Sequence, residues 1–411
     1  MRKILIILLI AMFLFSFAGC SFGADDKTDL SKLDYSDTYI EGQDSQENYI
    51  ASDFSGYFAS IGNSYYFMNK HFIYQVDKET HKCSPLCNKS DCLHDKETNK
   101  SMRAECQAYV EGADPEETLI AYGNNLYYHS TEMSVDRDGV EDDVEAFYRI
   151  SPDTGERTSV YKIKGYALMK FKIHRGYIYF KAVKFKKDSN DAFSDNADII
   201  RVPLKNSNEE PEILLDVTEI RKQYKNGFIG DVRLYGNHLF AEINYDKSSK
   251  EAGNTLLSYD LDKKEWIDIK DKTDVDFNVG FTVFNDRLIL REVNSGIYEC
   301  GFSGENCKNI IKQEELIKGY NIWIPFANDG KSLFITTAKD DENISDLSSF
   351  YSNKIIIADR NYNTTVTELP VAFAYVTIGF DDKCFLNMSE NELLRIDKST
   401  LTKEIIYEFE N

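Results

Sequence analysis

Seven times along the chain a short polar turn is followed by an apolar or aromatic run. The stretches are IGNSYYF (61–67), YGNNLYY (122–128), RGYIYF (175–180), YGNHLFA (235–241), NDRLIL (285–290), DGKSLFI (329–335) and DDKCFL (381–386). With Tyr66, Tyr127, Tyr179, Phe240, Ile289, Phe334 and Phe385 taken as equivalent, the pattern recurs every 45 to 61 residues. After each stretch comes a second hairpin, as in AFYRISPDTGERTSVY (146–161) and KIIIADRNYNTTVTEL (354–369). Pairs such as Asn124-Asn125 and Thr154-Gly155 tolerate the positive φ of tight turns. The flanking Tyr, Phe, Ile and Val fit a pleated, half-buried surface. No repeat holds a long stretch of 3.6-residue periodicity, which disfavours a helical solenoid.

Two hairpins per repeat make a four-stranded unit that cannot bury both faces alone, and repetition at this period predicts an all-β β-propeller. The expected count is seven blades over 54–411, with six or eight as alternatives. A Cys-rich insertion at 83–115 interrupts the first and weakest repeat, whose last strand runs into it. Thr38–Ile40 or Asn48–Ala51 is the candidate for a strand that closes the ring. Within each repeat the first-to-second and third-to-fourth turns are short. The long connections therefore share one end, where function usually lives. They are Ser130–Glu145, Lys184–Ala197, Asp246–Asn254 and Lys339–Ser352, together with the cysteine insertion.

The chain opens MRKILIILLIAMFLFSFAGC. Arg2 and Lys3 precede an apolar run, Ile4 to Phe17, that is short for a bilayer span and suits a secretory signal over residues 1–19. Ala18-Gly19-Cys20 resembles the lipobox of bacterial lipoproteins, with Phe17 where that family usually has Leu. The resemblance implies acylation of Cys20 and anchoring to the extracytoplasmic face of the cell membrane. Residues 20–53 are acidic and poor in apolar periodicity, as expected of a flexible tether. The formal charge is −21, and −23 without Arg2 and Lys3, so nucleic acid is excluded as a partner by repulsion of its phosphates.

Units of the form LYxID…TGE…LY resemble those of TolB-like propellers and of the propellers in low-density-lipoprotein-receptor-related proteins. The segment PLCNKSDCLH (85–94) resembles bacterial propeller lipoproteins, which implies export and assigns no activity.

The stretch CSPLCNKSDCLHD (83–95) and Cys106 carry the most concentrated chemistry. Haem attachment needs C-x-x-C-H, which is absent. Export favours two disulfides among Cys83, Cys87, Cys92 and Cys106. The alternative is a Cys3His zinc set of Cys87, Cys92, His94 and Cys106, and redox-active thiols are a third reading. Cys300 and Cys307 flank a turn and are candidates for a cross-strand disulfide, whereas Cys384 reads as a buried thiol. No cofactor is required, and zinc or calcium is the ion to consider. Asp136, Asp138, Glu141, Asp142 and Asp143 lack the full EF-hand spacing and read as a solvated acidic loop. SPDTGERT (151–158) resembles a single sialidase Asp-box without its Trp and reads as a hairpin turn. No GxSxG elbow, HExxH helix or phosphate-cradling glycine loop occurs, so no catalytic residue is assigned.

The function these features favour is a surface-tethered binding or scaffolding module for protein, peptide or glycan. Its ligand-face candidates are Asp136, Asp138, Phe185, Phe193, Asp340, Asp341, Phe350 and Tyr351, aromatics set in a polar rim. The alternatives are a lyase or glycan hydrolase acting at the central channel, and a metal- or redox-sensing lipoprotein. Cys20→Ala is expected to move the protein from membrane to soluble fractions. A full-length variant that stays membrane-bound after alkaline extraction refutes the lipid anchor.

Overall fold

Tyr179 and Phe180 are neighbours in one strand and belong to different cores. Tyr179 packs with Val232, Leu234 and Leu239, and Phe180 with Tyr127, Phe147 and Ile163. Successive strand residues point to opposite faces, and here both faces are covered, so the central strands read as unbroken apolar runs. Residues 64–69 are buried at every position.

The computed structural model describes residues 38–40, 43–44, 58–110, 119–135, 141–184, 196–205, 209–248, 251–273, 275, 277–292, 296–312, 318–339, 351–371, 377–381, 383–389 and 391–409. They form seven four-stranded antiparallel sheets, spanning 58–85, 119–164, 166–215, 228–268, 277–312, 320–368 and 377–408. Strands follow sequence order within each sheet, and an apolar cluster fills each gap between blades. This is the seven-bladed propeller that the repeats predict. Some first turns take positive φ at both central residues, as at Arg175-Gly176 and Asn285-Asp286, which suits the twist of tight hairpins.

The ring closes differently from the expectation. Blade 7 supplies its own four strands, and Thr38–Ile40 joins no sheet; Asn48–Ala51 lies outside the described residues. Blades 7 and 1 instead share aromatic packing. The rings of Phe67, Tyr74, Tyr407 and Phe409 lie with centroids 5.3 to 6.2 Å apart. Tyr65 donates to Asp381, and His81 Nδ1 lies 3.0 Å from Glu404.

Part of the stretch read as tether packs on the ring. Asp44 is buried and accepts from the Arg175 amide at 2.6 Å, while Gln43 donates to Tyr122 Oη at 2.9 Å. The Tyr39 ring lies 5.8 Å from that of His174 and 6.1 Å from that of Tyr235. Tyr122, His174 and Tyr235 end the inner strands of blades 2, 3 and 4, at the tight-turn end of the ring.

The cysteine insertion also departs from its expected place among the long loops. Cys83–Pro85 pairs with residues 74–76, the chain then leaves the sheet, and residues 108–110 return beside 71–73 through a Phe72–Tyr109 bridge. The outer strand of blade 1 is thus split, with the insertion looped out on the rim. Two of the expected long loops are paired ribbons. Val135 pairs with Glu141, and Ser248 with Glu251, past the ends of the flanking inner strands. Glu141, Asp142 and Asp143 therefore lie in a strand and not in a loop. Asp136, Asp138, Phe185, Phe193, Asp340, Asp341 and Phe350 lie outside the described residues, and Tyr351 opens a strand opposite Ala338.

Phe409→Ala removes a ring that touches both blades of the seam, and we expect a loss of about 3–5 kcal/mol in chemical denaturation. A change below about 1 kcal/mol would show that the seam is held elsewhere.

Candidate metal centre and the polar groups at the bulged strands

The thiols of Cys87, Cys92 and Cys106 and a ring nitrogen of His94 all lie within 4.8 Å of one another. His94 Nδ1 faces Cys106 Sγ at 3.8 Å. Each sulfur accepts an N–H from the residue two positions on. Lys89 donates to Cys87, His94 to Cys92 at 3.4 Å, and Ala108 to Cys106. Gln107 gives Cys87 a second amide donor. Three like turns therefore aim their amides at three sulfurs, the arrangement that stabilises thiolates.

Cys83, Cys87, Cys92 and Cys106 are free thiols in the structure, with no S–S bond among them. Cys83 stands apart in the outer strand, where burial first and Asp95 second push its pKa up. Burial also raises Cys106, to about 12. Cys300 and Cys307 are disulfide-bonded across their hairpin, with Cα atoms 4.2 Å apart. Cys384 is a buried thiol 3.5 Å from Tyr65 Oη. The SPDTGERT stretch is a hairpin turn, closed by Gly155 N to Ser151 O at 2.8 Å. Gly155 has a φ of +68°, and a Cβ there would meet Gln107 at 3.0 Å.

A second set of polar groups was missed in the sequence. In blades 3 to 7 the inner strand is irregular at one level, and the second-strand residue at that point is Lys181, Glu242, Arg291, Thr336 or Asn387. A bulge frees backbone groups from the ladder, and buried polar side chains satisfy them. Lys181 donates to the carbonyls of Ile229 and Gly230 in the next blade at 3.0 and 3.1 Å. In blade 2, His129 bonds Glu145 at 2.5 Å, and Glu145 in turn accepts from Leu168 N of blade 3 at 3.4 Å. Arg233 bonds Asp231 at 3.1 Å and donates to Thr282 of blade 5 at 3.3 Å. The signal was a polar residue directly after the apolar run, as in YYHS, YFKA, FAEI, LILR, LFIT and FLNM.

Glu242 is the unusual member. Burial first, and the Asp231 carboxylate second, push its pKa up to about 7 against hydrogen bonds from Asn254, Asn244 and the Asp231 amide. Its Oε1 has no hydrogen-bond partner among the described residues. His174 is likewise fully buried, and desolvation pulls it down to about 4, neutral and bonded to Gly236 O at 2.8 Å.

No protein-family model matches the sequence, and no curated protein is similar to it. The structure is similar to a prolyl endopeptidase at a TM-score of 0.50 and 12% identity, covering 87% of this chain and 48% of that one. It is similar to a puromycin hydrolase at 0.50 and 10%, covering 90% and 56%. The chain spans about half the length of these two solved enzymes, and the likeness is one of fold.

The Glu242 geometry sets a pH dependence. Between about pH 4.5 and 7 the folded chain keeps a proton that the unfolded chain has lost, so stability falls as pH rises through that window. Glu242→Gln should remove that fall and be more stable than wild type at pH 8 by roughly 2–3 kcal/mol, the two converging near pH 4. Parallel curves for both proteins in denaturant titrations would refute the shift.

Proposed function

We propose that the chain is a lipid-anchored, extracytoplasmic propeller that binds a protein, peptide or glycan with the end of the ring opposite the docked Gln43 and Asp44. The docking of Asp44 on Arg175 carries this reading. Tyr39, Gln43 and Asp44 pack at the tight-turn end, where hairpin geometry accounts for the residues. The opposite end carries the ribbons around Val135–Glu141 and Ser248–Glu251. The second ribbon is braced at its base, with Tyr245 against Tyr224 at 5.1 Å and Asp246 N donating to Lys225 O at 2.9 Å. A braced ribbon loses little freedom on binding, which favours affinity. Lys181, Glu145 and Arg233, buried at this level, bond across to the next blade, which supports a rigid scaffold over a channel enzyme.

The rival reading is a lyase or glycan hydrolase at the channel, and one observation favours it. Glu242, shifted to about 7 beside Asp231, has the acidity that suits general acid–base work near neutral pH.

Replacing residues 133–143 and 245–253 separately with two-residue turns separates the readings. A partner captured by crosslinking in membranes should bind at least one folded truncation tenfold or more weakly, with Glu242→Gln unchanged. Full affinity in both truncations, with loss from changes in the tight turns, would assign the wrong end.

A further inference from the structure

We infer that Cys87, Cys92, His94 and Cys106 hold one zinc ion in a closed Cys3His site, and that this ion is the clasp keeping the ring shut across blades 7, 1 and 2. The donor set is soft and nitrogen-containing, and it supplies four ligand atoms within 4.8 Å of one another. Four protein ligands fill a tetrahedron and leave no open position, the form of a structural site. The amide on every sulfur supplies an outer shell before any metal arrives. Binding releases the three thiol protons to solvent while His94 binds as the neutral base, so affinity falls with falling pH.

The segment needs such a staple. Between Cys87 and Cys106 the large apolar side chains are Leu93 and Met102, 59% and 55% exposed, and the helix there runs only from Lys100 to Ala104. A segment this short without a core of its own is ordered by metals or cross-links. In an oxidising compartment three adjacent thiols would form a disulfide, whereas a bound ion keeps all three as ligands.

The clasp follows from what stands beside each ligand. Asn88, after Cys87, donates to Asp153 O of blade 2 at 2.9 Å. Gln107, after Cys106, donates to Thr154 O at 3.1 Å and accepts from Arg157. Asp95, after His94, accepts from Tyr74 of blade 1 at 3.0 Å and from Tyr407 of blade 7 at 2.6 Å. One ion therefore fixes three grips on three blades, at the seam that no shared strand closes among the described residues.

The test uses full-length protein purified from membranes without added metal, with zinc as the probe. Elemental analysis should find one zinc per chain with all four thiols reduced by mass. After chelation under reducing conditions, zinc titrated against a chromophoric chelator should bind wild type and Cys83→Ser within twofold of each other. Cys87→Ser, Cys92→Ser, His94→Ala and Cys106→Ser should each bind at least tenfold more weakly. Cobalt in place of zinc should give thiolate-to-metal absorption. Zinc removal should raise amide exchange at least tenfold in Lys403–Glu408 and at 151–156, with 277–312 unchanged, and Asp95→Asn should keep the affinity while losing the protection of Lys403–Glu408. Metal-free protein with disulfides at these cysteines, or reduced protein that binds no zinc, overturns the site. Zinc binding with unchanged exchange at both places overturns the clasp alone.

Discussion

Every blade has two apolar faces, and neither can be left in water. That single requirement closes the ring and makes the seam between the last blade and the first the point on which the whole molecule depends. Elsewhere the covalent chain carries one blade into the next. Among the described residues the seam is made by side chains: Phe67, Tyr74, Tyr407 and Phe409, with Leu386 and Leu393 behind them, and the pairs Tyr65–Asp381 and His81–Glu404. The largest apolar cluster runs through blades 7, 1 and 2 and includes Cys106, Ala108 and Val110 from the insertion and its return. Splitting the outer strand of blade 1 costs ladder bonds, yet it lets the insertion lie on the rim within reach of both neighbouring blades.

The same packing explains why ionisable groups occur deep between blades. Inner strands must curve around the channel, and bulges supply that curvature at the expense of ladder bonds. Lys181 returns two of those bonds to blade 4, and Glu145 returns one to blade 3. These groups are held in place by the geometry of the bulges. Glu242 is the exception because its nearest carboxylate, Asp231, is already paired with Arg233, leaving the glutamate to keep its proton.

The two ends of the ring are unlike in kind. One is made of short turns and receives Tyr39, Gln43 and Asp44, so it is already partly occupied by the chain itself. The other carries ribbons that outrun their neighbours. Tyr39, Gln43 and Asp44 packed at one end and projecting hairpins at the other make the two ends unequal, which a symmetric repeat alone does not.

Sequence periodicity by itself determined the four-stranded unit and its seven repeats, because alternation and turn residues are local properties of each hairpin. It also brought Cys87, Cys92, His94 and Cys106 together as one candidate set, since they lie within twenty residues of one another. That set already left Cys83 aside, and the structure supplies the reason, because Cys83 pairs with Val76 in a sheet. The rim position of the insertion, the docking of Asp44 on Arg175 and the bonds from Lys181 to the next blade were hidden. Each joins residues far apart in the chain, and only the closing of the ring decides which distant groups meet.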